Sequence, residues 1–183
     1  CGHDERHWFV AAVPSDWGVS SVRTALEALK PPVVRALQDS RGVKRKHRNR
    51  RRNRAFLRQG EWFFVPRPGM APRQDIMLRN EPLMRSGGKP HVCDWLVRQN
   101  GEVVYVCGRY PRGMPRDSYR RILLGNPQPR NWGWQTMMRD AAVYVLGRVR
   151  HPDHRTLHLK TWHEVLMNTE SQAPAMRHVA FVD

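Results

Sequence analysis

Between Asp39 and Glu61 the chain has no carboxylate, and residues 41–58 hold ten arginines and lysines together with His47. Cationic side chains at that density cannot be buried without partners, so the stretch must stay at the surface. The chain therefore reads as residues 1–40, an N-terminal strand and helices of the core; 41–60, an arginine-rich basic segment; and 61–183, the main antiparallel β-rich part of the same domain. With 183 residues, 40% of them apolar, the material suffices for one well-buried core.

Residues 7–13 are aromatic and apolar up to Pro14 and predict a short strand. Ser20 and Ser21 precede Val22, Ala25, Leu26 and Leu29 at helical spacing; Pro31 and Pro32 interrupt, and Val33, Val34, Ala36 and Leu37 predict a second short helix ending near Gly42. Residues 61–65 read as a strand halted by Pro66. Residues 92–98 and 102–107 flank Asn100-Gly101, the strongest local hairpin signal in the chain. Tyr119, Ile122, Leu123 and Leu124 lie between Pro115 and Gly125 with the start and stop residues of a short helix. Residues 142–150 and 155–160 predict strands joined through His151-Pro152-Asp153-His154, and 162–167 and 178–182 add two more. Strands following strands with few helices between them predict an α+β fold around a mainly antiparallel sheet, with a few short helices and an arginine-rich helical or disordered segment.

The formal charge of +16 points to a polyanionic partner. Twenty-seven of the 32 cationic residues are arginine, which suits bidentate contacts to phosphate and guanine. Residues 44–58 lack Pro and Gly and have good helix propensity, yet their like charges repel at i,i+4, so helix is expected only when a polyanion neutralises them. In composition the segment resembles the arginine-rich motifs of RNA-binding peptides, which implies Arg41, Lys44, Arg45, Lys46, Arg48, Arg50, Arg51, Arg52, Arg54 and Arg58 on phosphate and Asn49 and Asn53 on base edges. A leucine-zipper basic region is excluded because Gly60 and Pro66 stand where heptad leucines would be needed. Trp132 and Trp134, in Gly- and Pro-rich surroundings near Arg109, Arg112 and Arg130, are candidates for stacking on unpaired bases. Trp8, Trp62 and Trp95 sit in strand-like runs and are expected in the core.

His151, Asp153, His154, His158 and His163 fall within 13 residues. On a regular strand His154 and His158 share a face, so His151, Asp153, His154 and His158 form an alternative catalytic set for phosphodiester chemistry, and His154 with His158 an alternative metal pair. His154-Arg155-Thr156 resembles one half of the paired His-x-Thr motif of the 2H phosphoesterases, but no second copy stands elsewhere. The simpler expectation is a turn at Pro152-Asp153 with histidines on a solvent-facing strand, no metal and no cofactor. Cys93 and Cys107 flank the expected hairpin and meet only in one of its registers; free buried thiols are the expectation. Cys1 and His3 are further ligand types at the start of the chain.

No apolar run approaches the ~20 residues needed to span a bilayer, and no signal-peptide pattern opens the chain. An intracellular location, cytoplasmic or nucleoid-associated, is expected. Together these readings predict a non-enzymatic nucleic-acid-binding protein favouring RNA over DNA. A nuclease or phosphoesterase using the histidines is the alternative, and so is a basic subunit of a larger ribonucleoprotein.

Overall fold

The structure, a computed structural model, describes residues 2–4, 7–14, 18–84, 88–126 and 128–172. Cys1 and the expected last strand at 178–182 lie outside them. The chain forms two compact units, Cys1–Val97 with Val143–Asp183, and Arg98–Ala142. Among the described residues, mainly antiparallel sheets with three short α-helices make the fold α+β, as expected.

The first unit opens with a two-stranded antiparallel ribbon of β1 (Gly2–Asp4) and β2 (His7–Phe9), shorter than the strand expected over 7–13. Helix α1 (Val22–Ala28) starts at Ser21, whose hydroxyl accepts the Thr24 N–H while the Thr24 hydroxyl accepts the Ser21 N–H. This reciprocal box satisfies two N–H groups the helix cannot use itself. Helix α2 (Pro32–Ser40) places Pro32 where its missing N–H costs nothing, and Gly42, at φ +61°, turns the chain away.

Of the basic segment, only Arg45–His47 is helical, and that is a single 3-10 turn. The longer helix that its propensities allow does not form, and the segment is held in place rather than left loose. Asn53 Oδ1 accepts the N–H groups of Ala55 and Phe56, a local turn that competes with helix. Ala55 and Phe56 are then fully buried beside Val34, Phe63 and Val65, with the Phe56 ring edge-on to Phe63 at 5.0 Å. At the other end Gln38 is buried, accepting from Lys30 Nζ and donating to the Arg48 carbonyl at 2.7 Å.

Strands β3 (Leu57–Gln59), β4 (Trp62–Pro66), β5 (Leu78–Leu83) and β6 (His91–Gln99) follow before the chain enters the second unit. There it forms β7 (Glu102–Cys107), β8 (Tyr110–Pro115), α3 (Arg116–Gly125) and β9 (Gln135–Arg139), then returns through β10 (Ala142–His151) and β11 (His154–Met167). The strands expected at 155–160 and 162–167 are thus one long strand. The six-stranded sheet of the first unit has the order β3-β4-β11-β10-β6-β5. Strand β4 is apolar throughout because both its faces are covered: Trp62 and Phe64 join Leu83, Cys93, Leu96, Val145, Val149 and Leu159 in the main core, while Phe63 and Val65 point to the smaller cluster beneath α2 and the basic segment. Thr169 ties the end of β11 to α1, its hydroxyl donating to the Ala28 carbonyl at 2.7 Å. The Asp94 carboxylate accepts the N–H and Nε–H of Arg148 at 2.9 and 3.0 Å beside Gly147, whose φ of +87° marks a bulge in β10.

The hairpin expected at Asn100-Gly101 is not made. Strand β6 lies between β10 and β5, whereas β7 is the centre of a separate antiparallel sheet, β8-β7-β9. The favoured two-residue turn needs positive φ at both central residues, and only Asn100, at +59°, has it. Gly101 serves close packing instead, since a Cβ there would collide with the Met138 side chain. Cys93 and Cys107 are accordingly both buried, in different sheets, and no disulfide joins them.

Candidate nucleic-acid interface and a histidine cluster

The ordered course of the basic segment sorts its cations. Arg48 pairs with Asp39 and Glu27, and Arg41 donates to the Arg54 carbonyl. Lys44, Arg45, Lys46, Arg50, Arg52 and Arg54 are exposed, and among the described residues no carboxylate pairs with them. Arg51 and Arg58 are partly buried, the Arg58 N–H donating to the Arg51 carbonyl. Asn53 is spent on the turn described above, and Asn49 is partly buried, so neither stands out toward solvent with the cations. Partial desolvation, and after it the charges of Arg50, Lys46 and Lys44, push His47 below its ordinary pKa.

In the second unit five aromatic rings form a continuous array. Tyr105 of β7 stacks on Tyr119 of α3 at 3.9 Å and 5°, and Tyr119 meets Trp134 edge-on at 5.0 Å. Trp134 stacks on Tyr110 at 5.8 Å and on Trp132 at 6.0 Å, and the Arg109 guanidinium lies 4.3 Å over the Trp132 ring. Trp134 Nε1 donates to the Pro129 carbonyl at 2.6 Å, which fixes the ring plane. None of the five rings is buried, so Trp132 and Trp134 are not core residues. Residues 98–142 carry eight arginines against three carboxylates, so this unit too is cationic. Of the tryptophans expected in the core, Trp62 is buried, Trp95 is half-buried under the Arg79 guanidinium at 4.3 Å, and the side chain of Trp8 lies outside the described residues.

The histidines gather differently from the expected pattern. His151 ends β10 and His154 begins β11, paired across the Pro152-Asp153 turn. Between this pair and Val149–Leu157 the ladder slips by one residue, and the bulge reverses the alternation that a regular strand would keep. His154 therefore turns to the same side as Leu157 and Leu159, while His158 is exposed opposite Arg148. His154 and His158 do not come together. The third member is His91 at the start of β6, which sequence reasoning missed: it stands sixty residues before His151, beside Cys93 and Asp94 but far from the other histidines of the cluster. Only the pairing of β6 with β10 brings it in.

The rings of His91 and His151 stack at 4.2 Å, those of His151 and His154 lie 4.6 Å apart, and one ligand nitrogen of each of the three lies within 4.8 Å of the others. His91 is 2% exposed, and neither of its ring nitrogens has a hydrogen-bond partner. Burial, then the neighbouring His151 and His154, lowers its pKa to about 3, so the ring is neutral at ordinary pH. Burial also lowers His151, followed by the charge of His154, against the opposing pull of Asp153. Asp153 itself is engaged by Lys89 Nζ at 2.8 Å. Other histidines stand apart: His163 is buried with Nδ1 2.7 Å from the Thr161 carbonyl, and the side chain of His3 lies outside the described residues.

No protein-family model, curated protein or solved structure matches the chain. No helix among the described residues is long and apolar enough to cross a membrane.

Proposed function

We propose that this protein binds nucleic acid, RNA in preference to DNA, with the basic segment on the phosphates. The observation that carries the reading is the set of six exposed cations, Lys44, Arg45, Lys46, Arg50, Arg52 and Arg54, presented by an ordered loop without a compensating carboxylate. Holding so many like charges in one place is unfavourable for the isolated protein, and phosphates relieve it while releasing condensed counterions.

The ring array of Tyr110, Trp132 and Trp134, with Arg109 over one face of Trp132, supports single-stranded RNA over duplex. Unpaired bases stack on exposed aromatic faces, and a duplex offers none except at its ends. Each unit is suited by itself to one part of such a ligand: the cations of the first to phosphates, the rings of the second to unpaired bases. An intracellular place, alone or as a basic subunit of a larger ribonucleoprotein, follows from such a ligand.

Fluorescence anisotropy with single-stranded RNA, single-stranded DNA and duplex DNA of one sequence at fixed salt tests it. The expected order of affinity is RNA, then single-stranded DNA, then duplex. Binding to none of the three at low salt, or tightest binding to the duplex, contradicts the proposal.

A further inference from the structure

We propose that His91, His151 and His154 form a binding site for one divalent transition-metal ion of the zinc type. Three observations converge on it. First, β6 and the β10–β11 turn, some sixty residues apart in sequence, deliver three imidazoles whose ligand nitrogens already lie within 4.8 Å of one another. A tetrahedral zinc ion with bonds of about 2.0–2.1 Å needs its nitrogen ligands roughly 3.4 Å apart, so small side-chain rotations close the set.

Second, His91 is buried with both ring nitrogens unpartnered. A buried polar group without a partner is costly, and a metal ion accepting its lone pair is a partner of the right kind for a neutral imidazole. Third, Gly60 leaves room beside these rings: a Cβ at that position would stand 3.3 Å from His154 Nε2 and 3.8 Å from His91 Nε2. The main chain here passes the two nitrogens with no side chain in the way. His151 Nδ1 accepts the Asp153 N–H at 3.1 Å and the ring also bonds the Lys89 main chain; a metal on Nδ1 replaces the first, a neutral hydrogen bond that a metal–nitrogen bond outweighs, and can keep the second.

The donor set chooses the ion. Imidazole alone suits zinc, copper or nickel, whereas magnesium and calcium demand oxygen ligands, and the nearby Asp153 is held by Lys89. Three protein ligands leave a fourth position open, as in zinc sites that bind water or a ligand atom. His151 and His154 are partly exposed, which gives that position access to solvent.

The test uses the full chain, stripped with a chelator and titrated with Zn2+ by calorimetry, with metal content after dialysis and the visible absorption of the Co2+ form as second readouts. One ion per chain is expected, with a four- or five-coordinate Co2+ spectrum and a rise in melting temperature on adding Zn2+. Because His91 is in the core, the decisive variants are His151→Ala and His154→Ala, whose rings are partly exposed. Each should weaken binding at least about 100-fold while keeping the circular dichroism of the metal-free protein. His158→Ala, on the opposite face, should bind like the parent. Substoichiometric metal in the parent, unchanged affinity in both ligand variants, or an equal loss in His158→Ala overturns the proposal.

Discussion

The ring of His91 stacks on that of His151 at 4.2 Å between centroids, although sixty residues separate the two in sequence. Strand β6 carries the first and β10 the second, and the sheet sets them side by side. Neither nitrogen of His91 is satisfied, so in the absence of metal the residue is a burden on the fold. Replacing it by an apolar side chain of similar size removes that penalty. His91→Leu should raise the stability of the metal-free protein by roughly 1–2 kcal/mol in denaturant unfolding, and abolish the stabilisation by added Zn2+. A variant that is less stable than the parent without metal would show that His91 is satisfied in solution.

Phe56 should be the anchor of the basic loop. It is 1% exposed, edge-on to Phe63, and only two residues from the exposed Arg54. Phe56→Ala should cost about 3–5 kcal/mol and make the arginine bonds of residues 45–54 more sensitive to trypsin under native conditions. Native-like protease resistance in that variant would mean that the loop is held by Gln38 and Asn53 alone.

How much of this was legible in the sequence depends on the range of the interaction involved. Helix α1 was legible because its signal is local: Ser21 stands just before Val22, Ala25 and Leu26 at helical spacing. So was the turn between β10 and β11, where Pro152-Asp153 sits between paired histidines. The Asn100-Gly101 signal was equally local and misled, because the apolar faces of β6 and β7 found partners in two different sheets. The pairing of His154 with His158 failed for a subtler reason. A regular period of two was assumed across a bulge, and one extra residue moves every later side chain to the other face. His91 carried no signal linking it to the distant pair, since its pair of unsatisfied buried nitrogens exists only once the sheet is formed.

The aromatic array should contribute affinity without charge. Trp132→Ala and Trp134→Ala should each weaken binding to single-stranded RNA by about 1–3 kcal/mol and leave the salt dependence unchanged, because stacking displaces no counterions. Equal affinity in both variants would remove the rings from the interface. Trp134 also bonds Pro129, so its variant needs a check that the 98–142 unit stays folded; Trp132 has no such bond among those described.

Acidification should destabilise the fold through its buried histidines. His163 is 4% exposed, and burial lowers its pKa below the usual 6.5, with the Thr161 carbonyl pulling weakly the other way. The folded protein thus keeps the ring neutral where the unfolded chain takes up a proton, so the unfolded state binds more protons. Its contribution to stability is complete above about pH 6.5 and is lost as the pH falls below that value. The melting temperature, followed in chelator, should drop between about pH 7 and 5, and His163→Leu should make the drop shallower. A melting temperature that is flat or rises on acidification contradicts this.

The most direct test of nucleic-acid binding through the basic segment is the salt dependence of RNA affinity in the parent and in a variant with Arg45, Arg50, Arg52 and Arg54 all changed to alanine. All four side chains are exposed and outside both apolar clusters, so the fold should survive the change. Each phosphate contact on a single strand contributes about 0.7 to the slope of log affinity against log salt, so the variant's slope should be shallower by about three units, with weaker binding at low salt. The same slope and the same affinity in parent and variant would contradict the account.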